Sequence, residues 1–369
     1  MGRHPAPSVE GRQRRLVEEL GEIGLHLDGS RAWHHLLVEE LDYALRPKVH
    51  ERRVPSFGVF IAPIRDLEAW KRATELGIEI RPLGPYHTEV GRRFADGLSS
   101  WLLRHADGTD QWAVFDRPAG SERDLVVLAG AFGATVVQRH PSGVVRVVGE
   151  FGVLRWEAMR WHHEPPISTW VDALPLGAGD DRRVLGLLLA FAVHDLGARN
   201  IGATLVYRGG TDGRGSYEAR LPKPPELRIG RPPDLAPLRH VLSQVDGATM
   251  FDVDGVMTEI GVRLVPSTEA ESDVAGLGGM RHTSARRYSF DDPAATVVVV
   301  SEDGPVTVLR GGRRVGSSAP LPPDEDDLDT DDLGDDDDDA EAEPAAAAPR
   351  STASEPGPTE GALNPAGTR

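Results

Sequence analysis

Four consecutive valines, Val297 to Val300, restrict the fold of this chain more than any other feature. β-branched side chains favour strands, and an apolar run without polar alternation requires that both faces of the strand be covered. The segment Thr296–Val300 is therefore predicted to be a central strand. Helical and short apolar segments alternate on either side of it, which predicts an α/β domain with helices packed around a sheet.

The second half of the chain supplies the other elements of this domain. Leu185, Leu188, Leu189, Ala192 and Leu196 recur at helical spacing and predict a buried face on a helix that follows an acidic capping position. The predicted elements are the helices Arg182–Leu196, Leu235–Val245 and Arg281–Ser289 and the strands Ile201–Tyr207, Thr249–Phe251, Thr258–Leu264 and Val306–Leu309, the last of which closes the sheet.

All seven tryptophans precede residue 171, so we expect two separately built cores. The predicted domains are residues 1–176 and 177–316, joined at a flexible seam, Leu176–Asp181, and followed by a tail at 317–369. Residues 1–176 show an α/β or α+β pattern. Its predicted elements are the helices Val9–Leu25, Ser30–Leu45 and Leu67–Leu76 and the strands Phe57–Ile61, Leu125–Leu128 and Val144–Val148.

Two histidine pairs, His34-His35 and His162-His163, also lie in this first region. Adjacent residues point to opposite sides of a strand, and neither pair has the spacing of roughly two to four residues that a shared metal ion prefers. We therefore predict surface histidines rather than metal ligands.

The net charge of −17 comes mostly from the tail, where 14 of the 20 residues from Asp324 to Glu343 are acidic. Such a segment cannot bury enough apolar surface to offset its ordering entropy, so disorder is expected; a basic partner is the alternative. The absence of cysteine excludes disulfides, thiolate catalysis and cysteine-ligated zinc. A polar N-terminus and no run of 18 apolar residues predict neither signal peptide nor membrane span, hence a soluble, cytoplasmic protein.

Three short segments carry the residues suited to chemistry. Asp246-Gly247-Ala248 offers a carboxylate beside small residues that let a phosphate or sugar approach the backbone, although an ordinary turn has the same residues. Two glycines before a helix that starts with Arg281 and His282 form an anion cradle, or an ordinary solvated helix start. Ser301-Glu302-Asp303 follows the valine strand at its carboxyl end, where ligands gather in open sheets; a hairpin turn is the alternative.

The order of these segments resembles the diadenylate cyclase (DAC) family from about residue 183 to 312. The family pattern is Asp-Gly-Ala, a strand pair, Gly-Thr-Arg-His-Arg, a helix, and a valine-rich strand ending in Ser-Glu-Glu. Ile201–Val206 is similar to the first strand of that family, and Arg263–Pro266 to the strand after its first motif. The resemblance implies a mixed sheet surrounded by helices, preceded by a sensor-like domain of the kind found in soluble members.

The resemblance also implies the activity and its residues. Each subunit would bind one ATP, and two subunits facing each other would form cyclic di-AMP and release pyrophosphate. Asp246, Arg281 and His282 would be catalytic, and Asp246 and Glu302 would hold Mg²⁺ or Mn²⁺. The implied ATP-binding residues are Gly247, Ala248, Leu264, Gly279, Met280, Thr283 and Ser301. No DNA-binding helical hairpin follows residue 312, so neither nucleic acid nor membrane is expected as a partner.

The sequence departs from the family pattern at two positions. The family motif Gly-Thr-Arg-His-Arg is Gly279-Met280-Arg281-His282-Thr283 in this sequence. Met280 therefore replaces a residue with a hydroxyl group, and Thr283 replaces a residue with a second guanidinium group. Loss of one charged hydrogen bond costs about 1.5–3 kcal/mol. Arg286 or Arg287, one turn further on, can compensate. The alternatives are a nucleotide-binding regulator that lost turnover, or a cyclase for a different nucleotide.

Overall fold

The computed structural model describes residues 9–49, 51–52, 54–61, 77–82, 88–177, 180–209, 215–302 and 305–318. These residues fall within one compact unit, Met1–Leu321. The predicted helix Leu67–Leu76, Ala178 and Gly179 of the predicted seam, Asp303 with its predicted turn, and the predicted tail from residue 319 lie outside the described residues. No helix of the described ranges is long and apolar enough to cross a membrane.

The first half of the chain forms a mixed sheet in the order β2-β4-β3-β1-β5-β6-β7-β8. β1 and β3 are parallel, and the other neighbouring strands of the described sheet are antiparallel. The strands are β1 (Phe57–Ile61), β2 (Ile78–Pro82), β3 (Ser100–Arg104), β4 (Gln111–Phe115), β5 (Thr135–Arg139), β6 (Val145–Gly149), β7 (Gly152–Glu157) and β8 (Arg160–Glu164).

The second half forms another mixed sheet in the order β10-β12-β11-β9-β13-β14-β15, in which β9 and β11 are parallel. Together the two sheets confirm the predicted α/β class. The strands are β9 (Ala203–Arg208), β10 (Ser216–Glu218), β11 (Ala248–Phe251), β12 (Met257–Val265), β13 (Ala295–Val300), β14 (Val306–Arg310) and β15 (Arg313–Ser317).

Helices cover both faces of each sheet. They are α1 (Val9–Glu22), α2 (His34–Leu45), α3 (Thr88–Phe94), α4 (Glu122–Phe132), α5 (Ile167–Ala173), α6 (Arg182–Phe191), α7 (Pro232–Leu242), α8 (Thr268–Asp273) and α9 (Met280–Asp291), and α6 continues into a π-helix, Ala192–Leu196, and a 3₁₀ turn, Gly197–Arg199. Asp181 caps α6 as predicted, because its carboxylate accepts from the backbone N–H groups of Arg183 and Val184.

The valine strand has the central position that its sequence predicts. β13 lies between β9 and β14, and all of its residues are buried. Val298 and Val300 pack in the cluster beneath α6, whereas Val297 and Val299 pack on the opposite face beneath α9. Both faces are therefore covered, which explains why no polar residue interrupts the run.

Three predictions in these regions are wrong. Leu125–Leu128 is part of helix α4, because Ser121 and Asp124 form a capping box and every third or fourth residue is buried. Val306–Leu309 does not close the sheet, since β15 pairs beyond it. His34 is buried rather than at the surface, whereas its neighbour His35 is exposed as predicted; both lie in helix α2, within the predicted helix Ser30–Leu45.

Trp170 packs in the second core although it precedes the predicted seam. Helix α5 lies against β15, where Gly316 leaves room for the indole ring: a Cβ at Gly316 would lie 3.0 Å from Trp170 Cδ1. The distribution of tryptophans therefore does not separate the two cores completely, because helix α5, which carries Trp170, packs on the second sheet.

A buried ionic cluster joins the two sheets through Glu122 at the start of α4. Arg155 of β7 donates to both Glu122 oxygens at 2.6 Å and to Glu164 at 2.9 Å. His194 of the π-helix approaches the same Glu122 carboxylate with Nδ1 at 2.8 Å. Burial opposes ionisation of Glu122, but Arg155 and His194 outweigh it and lower the pKa of Glu122 to about 2. Buried ion pairs therefore join the two sheets in addition to apolar contacts.

Glu122→Gln should reduce the free energy of unfolding at pH 7 by about 3–5 kcal/mol, because Arg155 remains buried without its main counter-charge. Since the folded-state pKa lies below the unfolded value of 4.5, this stabilisation is present above pH 4.5 and is lost as pH falls toward 2. Denaturant titrations from pH 7 to pH 3 should therefore show a flatter pH dependence for the variant. The control is Glu150→Gln, an exposed carboxylate paired with Arg31; equal effects of the two variants would contradict the role assigned to the cluster.

Candidate functional site

A cleft of about 880 Å³ opens at one edge of the second sheet. It brings together residues from all the predicted motifs except the last: Asp246, Gly247, Ala248, Leu264, Met280, Arg281 and Thr283 line it. Gly279 immediately precedes the lining residues of α9. His282, Ser301 and Glu302 are not among the lining residues, although Glu302 reaches the cleft through Arg281.

The mixed topology explains why these motifs meet. β13 is antiparallel to β9, so Val300 at its end pairs with Ala203 at the start of β9. β9 is parallel to β11, so the start of β11 at Ala248 lies at the same edge, beside Thr204. The rule that ligands gather at carboxyl ends of strands therefore describes β13 but not β9 or β11, which enter the site with their amino-terminal ends.

Gly247 is required by the close passage of β12. Its φ is +103°, and a Cβ there would lie 2.8 Å from the carbonyl carbon of Gly261 and 2.9 Å from the oxygen of Val262. Gly261 itself has a φ of +66°, and the register of β11 with β12 shifts just after Ala248. The irregularity lies where the connection from the preceding helix enters β11. Asp246 is the residue before Gly247 in this connection, and its exposed carboxylate lines the cleft.

The start of α9 provides an anion-binding arrangement. Its N-cap is Gly279, in an extended glycine conformation without a side-chain cap, so the first-turn N–H groups are open to a ligand. Arg281 donates to the carbonyl of Val300 at 3.5 Å and lies 3.8 Å from Glu302. Gly202 allows this position, because a Cβ there would lie 2.5 Å from Arg281 Nη1. Met280 is 91% exposed.

Thr283, which stands where the family pattern has arginine, holds the loop before α9. Its hydroxyl accepts from the backbone N–H of Leu277 at 3.0 Å and lies 3.4 Å from the Leu277 carbonyl. Burial and the neighbouring Arg281 guanidinium both lower the pKa of His282. His282 is therefore neutral at physiological pH and can act as a hydrogen-bond donor or acceptor but not as a cation.

Two further arginines in the cleft, Arg220 and Arg263, were not identified from the sequence. Arg220 follows β10, and Arg263 lies on β12 in the segment that resembles a family strand; no motif indicates the charge of either, and the pairing of β10 with β12 places them together. With Arg281 and Arg287 they give the cleft four guanidinium groups, and its lining also holds the carboxylates of Asp246 and Glu271. Outside the lining, Glu218 lies 3.6 Å from Arg263 and Glu302 lies 3.8 Å from Arg281.

Arg286 and Arg287 are the two residues predicted to compensate for Thr283, and Arg287 lines the cleft. Its Nε and Nη2 donate to the carbonyls of Val274 and Glu271, both at 3.2 Å. Arg286 instead donates to the carbonyl of Gly312 at 2.9 Å and is not among the lining residues. Of the two, Arg287 is the one positioned to meet a ligand.

Gly202→Ala should leave the fold intact but weaken ATP binding by about ten- to a hundredfold, the value of one charged hydrogen bond, because the new methyl group displaces the guanidinium end of Arg281. Titration calorimetry measures the affinity and thermal unfolding checks the fold. The control is Gly276→Ala, whose Cβ would make only an ordinary contact of 3.5 Å with Thr283. Unchanged affinity in Gly202→Ala would show that Arg281 does not hold the nucleotide.

Comparison with known proteins assigns both parts of the chain to families. Residues 14–164 match the family described as "Probable sensor domain DACNK", and residues 190–314 match the DAC family, described as "DisA bacterial checkpoint controller nucleotide-binding". No curated protein matches the chain.

Among solved structures, one similar chain is a hypothetical membrane-spanning protein from Bacillus cereus. It is 17% identical over 36% of this chain and 67% of that chain, with a TM-score of 0.29, and similarity at this level supports no argument. The two family matches carry the assignment: this chain has a nucleotide-binding DAC domain at residues 190–314, preceded at residues 14–164 by a sensor domain of the DACNK type.

Proposed function

We propose that this protein is a diadenylate cyclase that condenses two ATP molecules into cyclic di-AMP and releases two pyrophosphates. The observation that carries the proposal is the cleft that Asp246 shares with four guanidinium groups within a nucleotide-binding DAC domain. Guanidinium groups suit phosphate oxygens, and the volume of about 880 Å³ falls within the range of small-ligand sites.

The reaction forms one bond and breaks one bond at each of two phosphorus atoms. The 3′-hydroxyl oxygen of one ATP attacks the α-phosphorus of the other, the bond from that phosphorus to the bridging oxygen breaks, and pyrophosphate leaves. Asp246, which lines the cleft, would orient the attacking hydroxyl and accept its proton. Arg281, together with the open N–H groups at the start of α9, would hold the triphosphate oxygens. Positioning of this kind supplies much of the acceleration in phosphoryl transfer.

The residues of the cleft suit a divalent cation that is carried partly by the nucleotide. No group of three histidine, aspartate or glutamate side chains gathers among the described residues, so they do not form an all-protein cage. Mg²⁺ is usually held by one or two carboxylates together with substrate phosphates and water. Asp246 would supply the carboxylate in the cleft, with Glu302 beside Arg281 as the second candidate. When bound, the ion would polarise phosphate oxygens.

One cleft would hold one nucleotide, and each nucleotide would supply one attacking hydroxyl and one α-phosphorus. Two subunits would therefore have to meet before the two nucleotides could be joined into the ring of cyclic di-AMP. Met280, 91% exposed at the rim of the cleft, would be available to the second subunit. The substrate also implies the location: an enzyme that consumes ATP would work in the cytoplasm.

A nucleotide-binding regulator with weakened turnover is the second candidate. The hydrogen bonds between Thr283 and Leu277 favour it, since they fix this position in the loop where the family pattern supplies a guanidinium. Arg220, Arg263 and Arg287 favour the cyclase, because they restore the positive charge of the cleft. A cyclase for another nucleotide would need the same phosphate-binding residues.

Asp246→Asn should abolish product formation from ATP and Mn²⁺ while leaving the unfolding temperature unchanged, because the side chain is exposed and its replacement removes the proton acceptor and metal ligand. Chromatography with mass detection identifies the product. Glu269→Gln, an exposed carboxylate on α8 that does not line the cleft, is the control. Retention of more than about a tenth of the wild-type rate, which corresponds to about 1.4 kcal/mol, would show that Asp246 is not essential.

The specific activity should rise with protein concentration, because the proposed reaction needs two clefts facing each other. Light scattering and initial rates measured over the same concentration range should show dimers or larger species wherever turnover is observed. Full activity in a strictly monomeric sample would contradict the two-subunit mechanism while leaving nucleotide binding in place.

A further inference from the structure

A second arginine-rich cleft, of about 500 Å³, lies at the junction between the two sheets. It is distinct from the catalytic cleft and shares no lining residue with it. Helix α4 and the segment before it form one wall, and the 3₁₀ turn and helix α7 of the DAC domain form the other. The charged groups that line it are Arg117, Arg123, Asp124, Asp195, Arg199 and Arg239.

The two carboxylates of this junction cleft are already engaged within the protein. Asp195 is buried and accepts from Arg123 at 2.8 Å and from Arg239 at 3.2 Å. Asp124 accepts from the backbone N–H and the hydroxyl of Ser121 in the capping box of α4. With four arginines and two aspartates, the lining has a net charge of +2.

Arg117 and Arg199 donate no hydrogen bond to a carboxylate of the described residues, whereas Arg123 and Arg239 donate to Asp195. Arg117 is exposed and makes no hydrogen bond or ion pair with the part of the chain that the structure describes. Arg199 lies 3.8 Å from Asp195 but donates its hydrogen bonds to backbone carbonyls, those of His194 and Asp195. Burial, and after it the neighbouring Arg239 guanidinium, lowers the pKa of Arg199, although nearby carboxylates act in the opposite direction. Guanidinium groups in this arrangement favour a phosphate.

Both arginines from the DAC domain belong to segments that lead directly into the catalytic cleft. Arg199 ends the 3₁₀ turn three residues before Gly202, which makes room for Arg281. Arg239 lies on helix α7, and the chain runs from the end of that helix through Gln244 and Val245 to Asp246. A ligand bound between the domains would therefore contact the elements that position the catalytic carboxylate and the principal phosphate-binding arginine.

We propose that the junction cleft binds a small molecule bearing a phosphate or pyrophosphate group, and that this ligand links the sensor domain to the DAC domain. Binding rests on the charge and geometry of this cleft alone. Its effect on turnover rests on the proposed cyclase activity.

The test uses the full chain and inorganic pyrophosphate, titrated without divalent metal by calorimetry. Wild type should bind pyrophosphate at two sites. Arg117→Gln should weaken one of them by about tenfold, since it removes a guanidinium without breaking an internal bond. Arg160→Gln, an exposed arginine of β8 outside both clefts, is the matched control and should change neither site. Arg281→Gln should weaken the other site.

The two proposals fail in different ways. If Arg117→Gln binds pyrophosphate like wild type, or if Arg281→Gln removes all binding, the junction site does not exist. If Arg281→Gln leaves both sites intact while Arg117→Gln removes one, the junction site stands and the phosphate-binding role of Arg281 is wrong.

Discussion

The ion cluster around Glu122 holds the two halves of this protein in one arrangement. Glu122 and Arg155 are almost fully buried, and Arg155 donates two hydrogen bonds of 2.6 Å to Glu122. A buried charge that loses its main counter-charge costs several kcal/mol, so this pair strongly favours the arrangement in which α4 contacts the π-helix. Two successive residues of α4, Glu122 and Arg123, bind two successive residues of the π-helix, His194 and Asp195. A π-helix widens the turn, and such segments are frequent at functional sites.

How far the sequence predicts this molecule depends on whether the relevant contact is local. The valine strand, the Asp181 cap and the apolar face of α6 are specified by neighbouring residues, and the structure has them where the sequence predicts. The valines of Leu125–Leu128 favour a strand locally, but the capping box at Ser121 and the burial of every third or fourth residue make this segment part of helix α4. β15 was missed because polar, partly exposed residues such as Arg313 and Arg314 give no strand signal.

The difference between local and non-local contacts also decides which residues of the site the sequence predicts. Asp246, Gly247, Arg281 and Thr283 belong to short motifs, and the structure brings them to one cleft. Arg220 and Arg263 carry as much positive charge as any motif residue, yet their position follows from the pairing of β10 with β12. Charge that is assembled across a sheet leaves no pattern along the chain. A reading of the motif alone therefore misses the guanidinium groups of Arg220 and Arg263.

Helix α7 connects the two arginine-lined clefts, and its length decides how one can influence the other. Eleven residues span about 16 Å, whereas charges in solution are screened within about 8 Å at physiological salt. Direct electrostatic attraction between a ligand at Arg239 and the Asp246 region is therefore weak. Leu235, Leu238 and Leu242 of α7 are buried in the core of the second sheet, so the helix can shift only together with its packing. Coupling between the clefts would be mechanical: a ligand that fixes α7 against α4 fixes the point from which the chain enters the catalytic cleft.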